Sequence, residues 1–249
     1  MQQEVADRPV GLYFLEVSMR DLNKNLRSFP ETKSPPPLGG PVQDTRDKIL
    51  ESAEAQFARG GFSGVGMRQL AAAVGLSKSA LFHHFPTKLD LYEEVLDRVL
   101  ERLEAGLDAS KPRSEGPVDR LDAWIGSVVG TLAEDAPAAR LLLRTLVEED
   151  PFHGFQLAGS EEGEMRPSDI RLTRILSRFQ VLIEEGVEAG DFRPLSVPDA
   201  VQTTIGAVCF HFASGELGEA LIGESIFSAA AVERRRKEVS EFIRRGFMA

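Results

Sequence analysis

Apolar residues recur every three or four positions almost everywhere after Asp44, and no segment of this chain alternates apolar and polar residues convincingly. A spacing of three or four places side chains on one face of an α-helix, whereas a half-buried strand has a period of two. The chain is therefore predicted to be all-α. Its 249 residues, 42% of them hydrophobic, suffice to bury a sizeable core in one or two domains.

Three regions follow from this spacing. Residues 1–43 include the stretch SPPPLGGPVQ, whose prolines and glycines disfavour a helix, and we predict a disordered N-terminal tail. Residues 44–91 are predicted to form a three-helix domain, and the helix that follows it should continue to about residue 109. Residues 110–249 are predicted to form a second domain, a helical bundle.

Within the first domain, the segment MRQLAAAVGLSKSALFHH predicts two short helices. Gly75 ends the first one, and Ser77 caps the free amides of the second. Two short helices joined by a tight glycine turn form a helix-turn-helix, a motif that places the N-terminus of its second helix in the major groove of DNA. Lys78 and Ser79 occupy that N-terminus.

The distribution of charge supports a surface that faces phosphates. The formal net charge of −10 argues against nucleic-acid binding, yet none of the 39 acidic residues falls between Ala55 and Leu89. The same window contains Arg59, Arg68 and Lys88. The alternative is a chance gap in an alanine-rich helical region.

The stretch GFSGVGMRQLAAAVGLSKSALFHHFPTKLDL resembles the tetracycline-repressor-like (TetR) transcriptional regulators. Members of that family have the pattern G-F/Y-x-x-T-T/S-x-x-x-I-A-x-x-A-G-V-S-x-G-x-L-Y-x-H-F-x-S/T-K-x-x-L. The resemblance implies that phosphates or bases of DNA are contacted by Arg68, Gln69, Ser77, Lys78, Ser79, Phe82, His83, His84 and Lys88. Lys78 and Ser79 fall at its base-reading positions, and Lys88 falls at a phosphate contact.

Four residues depart from the family pattern. Val65 and Gly66 replace a pair of hydroxyl residues before the second helix, and Phe82 replaces a tyrosine. Each of these changes removes a hydroxyl group that could donate a hydrogen bond to a phosphate. Ser79 replaces a common glycine, which alters how closely the backbone can approach the bases.

The resemblance also implies a homodimer and a small-molecule effector. The apolar stripes of the last two helices, which would pair with a second subunit, contain Val201, Ile205, Val208, Phe212, Val239, Phe242 and Ile243. The alternative is that these stripes only complete the core of one chain. Candidate residues for the effector pocket, each equally compatible with an ordinary core, are Trp124, Leu143, Phe152, Phe155, Phe179 and His211.

Other chemistry finds little support in the sequence. His83 and His84 are adjacent on a helix and point about 100° apart, so they cannot chelate one metal ion. Cys209 and His211 diverge in the same way and do not form a nucleophile and base pair. We predict no catalytic site, no metal and no cofactor. A single cysteine, no apolar run of membrane-spanning length and no secretory signal indicate a cytoplasmic protein without a membrane partner.

The predicted function is sequence-specific transcriptional regulation. We expect a repressor that binds an inverted repeat in double-stranded DNA and is released by a small molecule. One alternative is a helical-bundle enzyme or small-molecule-binding protein without DNA binding. Another is a dimeric helical protein that has lost DNA binding, which Gly66 and Phe82 keep open.

Overall fold

The computed structural model describes residues 41–147 and 165–248, which form ten helices and one isolated antiparallel bridge between Phe192 and Met248. The predicted all-α fold is confirmed. The helices are α1 Pro41–Gly60, α2 Met67–Ala73, α3 Lys78–His84, α4 Lys88–Ala109, α5 Pro117–Glu134, α6 Ala136–Val147, α7 Pro167–Glu188, α8 Val197–Ala213, α9 Glu216–Ile222 and α10 Ala229–Phe247.

The first helix begins earlier than the sequence predicts. The predicted three-helix domain starts at residue 44, whereas α1 begins at Pro41. Proline is tolerated in the first turn of a helix because its missing N–H would have no intrahelical partner there. Residues 41–43 therefore belong to α1, and the rest of the predicted tail lies outside the described residues.

Helices α1 to α3 and the start of α4 enclose the core of the N-terminal domain. Phe57, Leu70, Leu81 and Phe85 are each at most 1% exposed. Phe57 lies on α1, Leu70 on α2 and Leu81 on α3, and Phe85 follows α3 directly. Burial of these side chains in one core therefore fixes α1, α2 and α3 against one another. The ring of Tyr92 on α4 closes this core and lies edge-on to Phe57, with ring centroids 4.9 Å apart.

The long helix α4 is shared by both halves of the molecule. It packs on α1 of the N-terminal domain and on α5 and α7 of the bundle. Ion pairs link it to both sides: Arg98 and Arg102 pair with acids of α1, whereas Asp97 and Glu104 pair with Arg171 of α7. The ion pairs fix the position of α4 along both neighbouring helices.

In the bundle, α6 packs on both α1 and α8, and α10 packs mainly on α5. The N-terminal domain thus meets the bundle through two helices, α4 and α6. The end of α10 is fastened by Phe192, whose ring lies 5.8 Å from that of Phe247, and by the backbone N–H of Arg193, which donates to the Phe247 carbonyl at 2.8 Å.

Candidate nucleic-acid interface

The turn between α2 and α3 has the geometry that the sequence predicts for a helix-turn-helix. Gly75 adopts a left-handed conformation with φ of 72°, which favours glycine, and the N–H of Leu76 donates to the Ala71 carbonyl at 2.9 Å. The Oγ of Ser77 then accepts from the N–H of Ala80 at 3.1 Å and caps α3. These bonds fix the start of α3 relative to α2.

Most of the predicted DNA-contacting side chains are accessible. Arg68 and Gln69 lie exposed in the first turn of α2, and the first turn of α3 exposes Lys78 and Ser79. Ser77, Phe82 and His83 are exposed as well, and His84 is half-buried. The acid-free part of the sequence therefore presents cationic and polar groups to solvent from both helices of the motif.

Lys78 and Phe82 contact each other across one turn of α3. The Nζ of Lys78 lies 5.4 Å from the centroid of the Phe82 ring, within the range of a cation–π interaction. Phe82 stands where the resembled family usually has tyrosine. Its side chain is 36% exposed and offers a ring face to the lysine instead of a hydroxyl to a phosphate.

Lys88 has structural partners in addition to its predicted phosphate contact. Its half-buried ammonium donates to the carbonyls of Phe62 at 2.7 Å and Val65 at 2.9 Å, and it lies 4.1 Å from the centroid of the Phe62 ring. These bonds fasten the segment between α1 and α2 to the start of α4. A contact between Lys88 and a phosphate stays a prediction.

Sequence reasoning missed Arg46, which joins three elements of the N-terminal domain. Its Nη1 donates to the His84 carbonyl at 3.0 Å, and its Nε donates to Glu94 at 2.9 Å. The Cζ atom lies 4.3 Å from the centroid of the Phe85 ring. These partners are 38 to 48 positions away in sequence, so no local signal indicates the contacts.

Two of the predicted pocket residues are in contact. The rings of Trp124 on α5 and Phe179 on α7 stack with centroids 4.0 Å apart. Leu143 lies half-buried on α6, and His211 lies on α8, where burial, with help from Arg235 and Arg234, lowers the pKa of its imidazole to about 4. Phe152 and Phe155 lie outside the described residues.

Most of the predicted dimer stripe is covered within one chain, and its role between two chains stays a prediction. Five of its members are at most 8% exposed and lie in the core of a single chain: Val201, Val208, Phe212, Val239 and Ile243. Helical spacing identified an apolar face correctly but could not tell packing within the chain from packing between chains. Ile205 is half-buried, Phe242 is 69% exposed, and α8 exposes a further ring, Phe210, which is 54% exposed.

The described ranges contain no group of three or more His, Cys, Asp or Glu side chains able to hold a metal ion. Burial raises the pKa of the Cys209 thiol to about 12, so this cysteine is not a reactive thiolate. Among residues 41–147 and 165–248, no single helix is long and apolar enough to cross a membrane, and only α8 and α9, bent by 92° at their junction, pass that test as a pair.

Comparison with known proteins identifies the class. Residues 49–95 match the profile of the bacterial regulatory proteins of the tetR family. The chain is 28% identical over 111 residues to the transcriptional activator FasR and 27% identical over 114 residues to the transcriptional repressor KstR, both of Mycolicibacterium smegmatis. Each match covers 45% of this chain and only about half of the relative, 51% of FasR and 56% of KstR.

The fold is shared over most of the chain. The structure of AibR in complex with isovaleryl coenzyme A and operator DNA aligns with 80% of this chain and 97% of its own, with a TM-score of 0.59 at 17% identity. Over residues 49–95 the chain therefore matches the tetR family of bacterial regulatory proteins, as the resemblance predicts. FasR and KstR are transcriptional regulators, the class of protein that the resemblance predicts.

Proposed function

We propose that this protein is a repressor that binds an inverted repeat in double-stranded DNA and leaves it when a small molecule binds the bundle. The observation that carries the proposal is the exposed first turn of α3, with Lys78 and Ser79, in a segment without acidic residues in a chain whose net charge is −10. An acidic protein would repel DNA unless the contacting surface were kept free of carboxylates. We expect it to act in the cytoplasm, where DNA is accessible.

The accessible side chains divide into two roles. Lys78 and Ser79 enter the major groove with the N-terminus of α3 and contact base edges. Arg68 and Gln69, at the start of α2, bind phosphates, which position the protein without reading sequence. His83 and His84, at the end of α3, rest on the backbone of the same groove.

A homodimer belongs to the same proposal, because one short recognition helix contacts too few base pairs to be selective. The surface available for a second copy includes Phe210 of α8 and Phe242 of α10. Gly206 belongs to the same surface, since a Cβ at this position would have no neighbour within 4 Å. Phe242→Glu should convert a dimer to a monomer in sedimentation. Leu146→Glu on α6, which is 49% exposed, is the matched control and should leave the dimer intact.

The proposed effector site lies around Trp124 and Phe179. The indole Nε1 of Trp124 is buried and has no hydrogen-bond partner among the described residues, so it can donate to a polar atom of an otherwise apolar ligand. AibR has been captured with both isovaleryl coenzyme A and operator DNA, which supports a regulator of this fold with two kinds of ligand. Phe152 and Phe155 stay in the proposed pocket as predictions.

Selection of bound fragments from genomic DNA tests the proposal directly. We expect the pure protein to enrich a fragment that contains an inverted repeat, and we expect the affinity for that fragment to fall steeply with salt. Lys78→Ala should abolish the enrichment, whereas Lys111→Ala, an exposed lysine after α4, should not. Enrichment of no sequence, or equal behaviour of the two variants, would refute DNA recognition by α3.

The effector is tested by reciprocity. Trp124 is the only tryptophan, so its fluorescence reports binding in the bundle. A small molecule that weakens the binding of operator DNA must itself bind more weakly in the presence of that DNA, by the same factor, which is typically about 5- to 150-fold. Stoichiometric binding that leaves both affinities unchanged would exclude an effector role for that molecule.

A further inference from the structure

Arg46 in α1 uses its guanidinium to hold the end of α3. Nη1 donates to the carbonyl of His84, the last residue of α3, at 3.0 Å. Nε and Nη2 donate to the two carboxylate oxygens of Glu94 on α4, and the guanidinium lies 4.3 Å from the centroid of the Phe85 ring. All three nitrogen atoms of the guanidinium are engaged, and each bond goes to another helix.

The contact with His84 matters because α3 is very short. It has seven residues, too few for a helix that is stable by itself, and its last carbonyls lack intrahelical donors. The N–H of Phe85 satisfies the carbonyl of Leu81, and Arg46 satisfies that of His84. A cation at this end also complements the negative pole of the helix dipole.

The other end of α3 is held independently. The left-handed turn at Gly75 and the side-chain cap of Ser77 fix the N-terminal end, from which Lys78 projects. A helix held at one end can pivot, whereas a helix held at both ends keeps its tilt. Besides the buried side chains of Leu81 and Phe85, the bond between Arg46 and His84 therefore anchors the C-terminal end of the helix that carries Lys78.

Glu94 and Phe85 keep the guanidinium in the orientation that this bond requires. The carboxylate of Glu94 binds two nitrogen atoms of Arg46 side by side, and the ring of Phe85 lies against the planar group. A lysine has neither the flat group nor the paired donors and cannot reproduce this arrangement.

We propose that Arg46 is a positioning residue for DNA recognition, which sets the tilt of α3 without contacting DNA. The inference rests on the proposed function, because it assumes that α3 reads bases. It assigns a specificity role to a side chain of α1, outside the helix-turn-helix.

The variants are Arg46→Ala and Arg46→Lys, and Arg98→Ala is the matched control. Arg98 also joins α4 to α1, through Asp47 at 3.3 Å, but the bond does not involve α3. Binding is measured on the genomic fragment that the wild-type protein enriches and on the same fragment with a scrambled half-site. We expect Arg46→Ala to lose affinity by about tenfold, because part of the binding free energy must then restore the tilt of α3, and a charge-assisted hydrogen bond stabilises that tilt by about this factor. The difference in affinity between the two fragments should narrow. Arg46→Lys should show the same defect, and Arg98→Ala should stay within about twofold of wild type.

The salt dependence separates positioning from a direct phosphate contact. A positioning residue leaves the slope of log affinity against log salt unchanged, whereas the loss of one phosphate contact lowers it by about 1. A shallower slope with equal loss on both fragments would overturn the proposal in favour of a phosphate contact. Unchanged affinity of the folded Arg46→Ala protein would also overturn it, in favour of a role in stability alone.

Hydrogen exchange in the free protein decides the structural half of the inference even if no fragment is enriched and the proposed function fails. Arg46→Ala and Arg46→Lys should speed exchange of the amides of residues 82–85 while leaving residues 70–73 of α2 unchanged. Arg98→Ala should alter neither segment. Equal exchange in wild type and both Arg46 variants would show that the bond to His84 does not restrain α3.

Discussion

The phenolic oxygen of Tyr92 lies 2.9 Å from Oγ1 of Thr145, and both side chains are buried. Because the hydroxyl of Thr145 donates to the Leu141 carbonyl, the tyrosine hydroxyl is the donor in this pair. The ring of Tyr92 also lies edge-on to Phe57 and Phe62, with centroids 4.9 and 5.2 Å away. One side chain of α4 therefore joins the core of the DNA-binding domain to α6 of the bundle.

The Tyr92→Phe variant should weaken this junction selectively. It removes one hydroxyl and preserves the ring packing, while Thr145 keeps its bond to the Leu141 carbonyl. We expect the free energy of unfolding to fall by about 1 kcal/mol in urea titrations. Thr145→Val should also lower the free energy of unfolding, since it removes the acceptor that Thr145 offers to the tyrosine hydroxyl. The double variant should lose less than the sum of the two single losses. Additive losses in this cycle would show that the two side chains do not interact.

Substitutions of two exposed cations, Lys78 and Arg68, should distinguish base reading from phosphate binding. Lys78→Ala should reduce the preference of the protein for its operator by about 1–3 kcal/mol if the lysine pairs with a guanine. Arg68→Ala should weaken all DNA sequences equally and lower the salt slope by about 1. Fluorescence anisotropy with operator and scrambled duplexes at several salt concentrations measures both effects. Equal losses on both duplexes for Lys78→Ala would remove it from the base-reading set.

The helix-turn-helix was predictable because its determinants are local. Gly75 supplies the left-handed turn, Ser77 caps the next helix, and the buried Leu70 and Leu81 follow helical spacing. The bonds that hold this motif in place were not predictable. Lys88 reaches back 26 positions to Phe62, and nothing in the sequence around either residue indicates that pairing.

The same limit applies to the predicted dimer stripe. Periodicity shows that Val208 and Val239 lie on apolar faces, yet a face that packs against the same chain has the same pattern as one that packs against a second copy. Only the arrangement of helices shows that α10 packs mainly on α5, which buries Val239 and leaves Phe242 exposed. Predicting exposure therefore requires knowing the neighbours of each helix.

A close approach at the end of α7 provides a test of packing. The buried ring of Phe192 lies against Gly186, and a Cβ at residue 186 would lie 2.1 Å from the ring. The ring cannot retreat easily, because the N–H of Phe192 donates to the Gly186 carbonyl at 2.9 Å. Gly186→Ala should lower the free energy of unfolding by about 3 kcal/mol.

Gly130→Ala is the matched control for that substitution. Gly130 lies inside α5, and a Cβ there would have no neighbour within 4 Å. Alanine has the higher helix propensity, so this variant should gain about 0.5–1 kcal/mol. Thermal unfolding of the two variants and wild type measures the contrast. A Gly186→Ala protein as stable as Gly130→Ala would show that the ring of Phe192 does not pack against residue 186.

Arg102 of α4 binds two carboxylates that come from different parts of the molecule. Its Nη2 donates to Glu54 of α1 at 2.7 Å and also to Asp135, which precedes α6. The side chain of Glu54 is only 9% exposed. Burial raises the pKa of the Glu54 carboxyl from 4.5 to about 7, Arg102 opposes this rise, and the charge of Asp135 adds to it. One guanidinium cannot fully compensate two ionised carboxylates, so the folded protein retains a proton here.

This raised pKa makes stability depend on pH in a defined direction. In the unfolded chain Glu54 ionises near its ordinary pKa of 4.5, whereas in the folded protein it ionises near 7. Its contribution to stability is therefore fully present below pH 4.5 and is lost as the pH rises to about 7. Glu54→Gln keeps an acceptor for Arg102 and cannot ionise, so between pH 5 and pH 8 the wild type should lose on the order of 2 kcal/mol relative to this variant. Glu51→Gln, whose native side chain is 70% exposed, is the control and should follow the wild-type curve in urea titrations. If the free energies of unfolding of wild type and Glu54→Gln differ by the same amount at both pH values, the pKa of Glu54 is not raised in the folded protein.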